Sequence, residues 1–233
     1  MTILIALNLG ELAIIAADKK EVLINNGIIY PLNEEANKVI DTGIGLITGS
    51  GYVSLVNRVK STVLHETITN TDQILSIIFK ERRAIQDNNS VSESDKCELL
   101  DKTGWLLSYR TTLDDQPKLR LALFHPSISE KSFILIEDNT SKIIFPSDMK
   151  EESISNYQKI ISSGMKLLSE GGIQDIISHN VNLVLNIIHE ISKESKMVSE
   201  TCDIGLVFNS GEKYMARSVC KKIGQFSFVP IHP

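Results

Sequence analysis

Hydrophobic and polar positions follow two different periods along this chain, and the changes of period divide it into blocks. Residues 2–9 and 11–17 are two short apolar, β-branched runs separated by Gly10-Glu11. Runs of that length around a turn signal predict a hairpin whose strands are buried on one or both faces. Residues 22–30 contain an Asn-Gly dipeptide at 26–27, a strong short hairpin signal. Residues 31–37 read as polar loop, and 38–41 with 44–48 as a strand pair around Gly43. After Gly49-Ser50-Gly51 the period lengthens: Val53, Val56, Val59 and Val63 recur at three and four, which predicts a helix. Thr71-Asp72 can cap a second helix with Ile74, Ile77 and Ile78 on its apolar side.

Residues 88–95 are polar and read as a solvated loop. Strands are predicted again at 105–110, 118–124, 133–137, 142–145 and 158–162, then a short helix over 164–170 stopped by Gly171-Gly172. Residues 173–194, with Ile176, Ile177, Val181, Val184, Ile188 and Ile191 on one side, form a long amphipathic helix. A last hairpin covers 203–209 and 213–219 around Asn209-Ser210-Gly211. Strands, two helices, strands, helices and strands in that order indicate α+β packing, not alternating βαβ units. Two antiparallel sheets facing each other, with a helix pair on each outer face, satisfy that order.

Composition narrows the picture. A chain of 233 residues that is 42% hydrophobic suits one domain, 1–233, with ample core material. A net charge of −5 argues against a nucleic-acid partner. Cys97, Cys202 and Cys220 are odd in number and far apart, which disfavours both a disulfide framework and a zinc ribbon and fits a reducing cytoplasm. The histidines have no ligand-like spacing, so neither a metal nor a cofactor is expected. No apolar run reaches the ~20 residues that span a bilayer, and no basic leader precedes the first strand, so no membrane partner is expected. Lys19 and Lys20 read as solvated.

Candidate chemistry gathers near the start. Removal of Met1 would leave Thr2 with a free α-amine beside its hydroxyl, a nucleophile and a base on one residue. Taken alone, Thr2 is equally a strand residue. Asp18 closes the second apolar run, where a carboxylate can hold an ammonium or serve as a turn residue. Lys38 begins a strand, and an ammonium beside a hydroxyl favours the oxyanion. Gly49-Ser50-Gly51 joins a strand to a helix, where backbone N–H groups can form an oxyanion hole or hold a phosphate. No P-loop or G-x-G-x-x-G pattern is completed there.

Thr2, Asp18 sixteen residues later, Asn37-Lys38-Val39 and Thr48-Gly49-Ser50-Gly51 opening a helix together resemble the proteasome β-subunit family of N-terminal-nucleophile hydrolases, on the side of divergent bacterial homologues. The resemblance implies a four-layer αββα sandwich and a threonine-type peptidase. In it Thr2 attacks, Lys38 lowers the hydroxyl pKa, Asp18 holds Lys38, and the Gly49 N–H stabilises the oxyanion. It also implies self-assembly into stacked rings acting on peptides or unfolded proteins; an ATPase partner is compatible with it, but nothing in the chain shows one. The family's support for the terminal amine is placed on Ser163, with Glu200 and Thr201 substituting for a pattern that this chain lacks at 198–203. Ile47, in the family's specificity-pocket region, implies an apolar-accepting pocket. Two other readings of the same residues are a catalytically silent ring or scaffold subunit and an amidase acting on a small amide.

Overall fold

The computed structural model describes residues 2–25, 28–87, 93–221 and 227–231. The chain opens with β1 (Leu4–Asn8) and β2 (Leu12–Asp18), followed by β3 (Glu21–Asn25) and β4 (Ile28–Asn33), then β5 (Ile40–Asp41) and β6 (Gly45–Ser50). Three helices follow, α1 (Val53–His65), α2 (Thr71–Gln86) and α3 (Glu93–Asp101). Four strands come next: β7 (Gly104–Leu113), β8 (Gln116–Phe124), β9 (Ile134–Ile136) and β10 (Thr140–Ile144). Then come α4 (Glu151–Gly164), a 3₁₀ turn at Leu168–Glu170, α5 (Ile173–Glu194), β11 (Cys202–Phe208), β12 (Lys213–Val219) and the two-residue β13 (Val229–Pro230).

The fold is mixed α+β with antiparallel sheets. A six-stranded sheet has the order β10-β1-β2-β11-β12-β13, and a five-stranded sheet the order β5-β6-β7-β8-β9. The β3–β4 pair stands apart as a two-stranded sheet. Ile3, just before β1, and Ile5 and Leu7 within it pack with Ile161 of α4 and with Ile176, Val184 and Ile188 of α5. Leu4 and Ala6, pointing the other way, pack with Leu46, Leu106 and Leu121 of the five-stranded sheet. Strands alternate faces at every residue, so β1 and β2, covered on both sides, need apolar residues throughout. That is why they read as unbroken hydrophobic runs. The far face of the five-stranded sheet, with Ile47, Trp105, Leu107 and Phe124, is covered by α1 and α2.

Three predicted segments are corrected. Residues 158–162, read as a strand, lie inside α4. Tyr157 and Ile161, four residues apart, are its only buried side chains, a stripe too narrow to show a period against the adjacent Ile160. Residues 93–101, read partly as loop, form α3, a helix with little amphipathic signal that is anchored by buried Leu100 and by Lys96, whose Nζ donates to the Gln86 carbonyl at 2.8 Å. Strand β4 also runs on to Asn33, into the stretch read as polar loop. The Asn-Gly turn at 26–27 lies outside the described residues. Among the described residues no helix is long and apolar enough to cross a membrane.

Candidate active site

The β1–β2 register explains the spacing of Thr2 and Asp18. Leu4 pairs with Ala17, so continuing the ladder sets Ile3 opposite Asp18 and brings the carboxylate beside Thr2. Asp18 is fully buried, and its Oδ1 accepts the Ile3 N–H at 3.0 Å. Its Oδ2 accepts the N–H groups of Lys20 at 2.9 Å and Ser199 at 3.2 Å, with the Ser199 hydroxyl at 3.5 Å. Three backbone N–H donors therefore converge on this one carboxylate.

Lys38 reaches the same point from the segment between β4 and β5, and it too is buried. Its Nζ donates to Thr2 Oγ1, to the Lys20 carbonyl and to Asp18 Oδ1, the last at 3.4 Å. An ammonium has three protons, and three acceptors meet them here. Burial nevertheless pushes the Lys38 pKa below the ordinary lysine value, because the charged form is costly in a low-dielectric site. Asp18, with smaller contributions from Glu21 and Asp203, opposes that fall. The result is a lysine in contact with a threonine hydroxyl and closer to neutrality than a solvated one.

Thr2 is 6% exposed and is also held through its backbone. Its N–H donates to Ser50 Oγ at 3.0 Å, and the Ser50 hydroxyl donates to the Thr2 carbonyl at 2.8 Å. Ser50 is therefore a site residue beyond the flanking glycines singled out in the sequence. Those glycines have steric reasons. A Cβ on Gly49 would lie 2.6 Å from the Trp105 ring, and one on Gly51 would lie 2.5 Å from Thr103 Cα, with Gly51 already at a φ of 129°. Gly49 and Gly51 line a small cavity with Thr2, Lys38, Glu21, Val53 and Val56. Its free volume, about 10 Å³, is that of about one water. Ile47 is not in that lining; it is fully buried under α1 and α2. The apolar wall is supplied by Val53 and Val56, on the first turns of α1.

The structure thus brings Thr2, Asp18, Lys38 and Gly49 together, and it places the other two predicted residues elsewhere. Ser163 sits exposed in the last turn of α4, where its hydroxyl faces the Ile160 carbonyl at 3.4 Å. Glu200 lies 3.9 Å from His189 Nδ1 of α5. Its neighbour Ser199 is the residue that reaches Asp18. Thr201 takes part through its backbone carbonyl, which accepts the Lys19 N–H at 3.1 Å. The amide bonds that close β2 onto β11 decide this arrangement, and no side-chain pattern encodes them. Lys19, read as solvated, is buried: its Nζ donates to Ser218 Oγ at 2.7 Å and lies 3.1 Å from Glu35 and 3.7 Å from Asp203. Asp203, also buried, pairs with Arg217 at 2.6 Å and accepts the Ser218 N–H at 3.2 Å. The Asp18-Lys19-Lys20 run gave no sign of this second ion cluster.

No family model matches the sequence, and no curated protein is detectably similar to it. Solved structures are similar to it in fold. Anbu from Hyphomicrobium sp. strain MC1 superposes with a TM-score of 0.56 at 13% identity over 99% of this chain and 88% of that one. A Gly-1 mutant of the same protein gives 0.59 at 14% identity, over 94% and 87%. Anbu from Yersinia bercovieri, described as an ancestral β-subunit, gives 0.57 at 12% identity, over 98% and 87%. The chain therefore has the fold of the Anbu proteins, the proteasome-like fold that the pattern of Thr2, Asp18, Lys38 and Gly49 leads one to expect.

Proposed function

We propose that this chain is a threonine-type peptidase subunit, one domain with a four-layer αββα arrangement, that works in the cytoplasm inside a self-assembled ring and degrades peptides or unfolded proteins. The observation that carries the reading is the bond from Lys38 Nζ to Thr2 Oγ1, with Asp18 behind the lysine. Removal of Met1 frees the Thr2 amine. Neutral Lys38, favoured by its burial, accepts the hydroxyl proton as Oγ1 attacks the peptide carbonyl. The Gly49 N–H faces the developing oxyanion, and the Lys38 ammonium gives its extra proton to the leaving amine as the C–N bond breaks. Water then hydrolyses the ester on Thr2 and restores the hydroxyl.

Intact mass shows whether Met1 is gone, and a peptide epoxyketone or β-lactone tests the nucleophile. A stoichiometric adduct on the parent chain, absent from Thr2→Ala, is the expected result. Complete removal of Met1 with neither adduct nor peptide cleavage sinks the proposal. That outcome would instead support a catalytically silent ring subunit, a reading favoured by the narrowness of the cavity beside Thr2. Native mass then distinguishes a ring from a monomeric chain.

A further inference from the structure

Lys60 lies on α1, one turn beyond Val56, and is only 7% exposed. Its Nζ donates to the Asn37 carbonyl at 2.8 Å. Burying an ammonium against a backbone carbonyl is costly, and at this helical position an apolar side chain would extend the Leu55, Val59 and Val63 face. The carbonyl that Lys60 holds is the one immediately before Lys38. The start of the same segment is tied from the other side, where the Ala36 N–H donates to the Lys19 carbonyl at 3.1 Å.

The surroundings couple the two lysines. Burial pushes the Lys60 pKa down to about 8, and the Lys38 charge pushes it the same way. Glu21 of β3, which accepts from Asn57 Nδ2 of α1 at 3.3 Å, pulls it up, as does Asp203 of β11, while Arg217 of β12 lowers it. Repulsion between like charges is mutual, so a charge on Lys60 disfavours one on Lys38.

We propose that Lys60 is a positioning residue of the Thr2 site: it clamps the Asn37 carbonyl and so holds Lys38 against Thr2 Oγ1. Only the rate measurement below rests on Thr2 being the nucleophile. In the Thr2→Ala chain labelled with [15Nζ]lysine, Lys38 is assigned by its loss in Lys38→Arg, and its titration is then followed by NMR. Lys60→Met raises the apparent pKa of Lys38. In the Thr2 chain it slows adduct formation at pH 7 on the order of tenfold and moves the pH–rate profile about one unit alkaline. Lys60→Arg keeps a donor and a charge that does not titrate, so it retains most of the rate and removes the inflection near pH 8 from the Lys38 curve. A purely structural role would lower stability without moving the profile.

The inference is overturned if Lys60→Met reacts and Lys38 titrates as in the parent. If Lys60→Met fails to fold, persistence of the inflection near pH 8 in Lys60→Arg overturns it, and loss of that inflection supports it. Absence of any adduct on the parent chain would count against the nucleophile reading, and the NMR comparison would still decide the role of Lys60.

Discussion

Replacing Asp18 by Asn tests how this site is held together, because the change keeps the shape and removes the charge. Asp18 Oδ1 faces the Ile3 N–H and Lys38 Nζ, and Oδ2 faces the N–H groups of Lys20 and Ser199. Whichever way the amide turns, its NH₂ confronts two donors. Removing one partner of a buried pair costs roughly 3–5 kcal/mol. Exchanging a charged acceptor for a neutral one weakens each surviving bond by ~1 kcal/mol. Lys38 limits the loss by giving up its proton, so about 4 kcal/mol at pH 7 is the expected total, a large share of a typical stability of about 5–15 kcal/mol.

The pH dependence has a definite sign. The folded-state pKa of Lys38 lies below its ordinary value of 10.5. Between those two values the unfolded chain binds more protons than the folded one, so stability rises with pH. Without Asp18 the folded pKa falls further, that window widens downward, and the deficit of Asp18→Asn shrinks as pH rises toward 10.5. Urea unfolding at pH 7 and 9.5, followed by the single, fully buried Trp105, measures both effects. A loss below ~1 kcal/mol at pH 7, or a deficit that grows with pH, would refute the picture of Asp18 as the buried counter-charge of Lys38.

Three further outcomes are expected. Adduct formation at Thr2 should rise with pH through an ionisation below 10.5, the lowered Lys38, and that limb should vanish in Lys38→Met; a pH-independent rate contradicts a lysine base. Gly49→Ala should cost about 1–3 kcal/mol in urea unfolding and alter Trp105 emission, since the new methyl meets the indole at 2.6 Å; unchanged emission and stability would contradict that contact. Ser163→Ala should leave stability within ~0.5 kcal/mol and the adduct rate unchanged, whereas Ser199→Ala, which loses the hydroxyl beside Asp18 Oδ2, should cost about 1 kcal/mol; the reverse ranking would restore Ser163 to the site.

Several features were legible from local order along the chain. Two β-branched runs around Gly10 specify a hairpin, and a hairpin's register is a matter of counting, so Thr2 and Asp18 come together with no further information. The valines after Gly51 and the isoleucines of α5 carry a helical period because each helix buries one broad stripe. Glycines at 49 and 51 mark a strand-to-helix junction where the backbone passes close to Trp105 and Thr103. All of these signals act over a few residues or across one turn.

What only the tertiary structure decided acts between distant segments through groups that every residue shares. Ser199 rather than Glu200 or Thr201 meets Asp18 because the β2–β11 register places its N–H there, and any residue at 199 would offer that N–H. Ser163 moved away from the site because α4 buries only Tyr157 and Ile161, too few positions to separate helix from strand by period. Lys19 and Lys60, charged and outwardly ordinary, became buried because acidic or carbonyl partners arrive from Glu35, Asp203 and Asn37, none of them a near neighbour in the chain. Burial of a charge depends on what closes over it, and that is set by packing rather than by the residue itself.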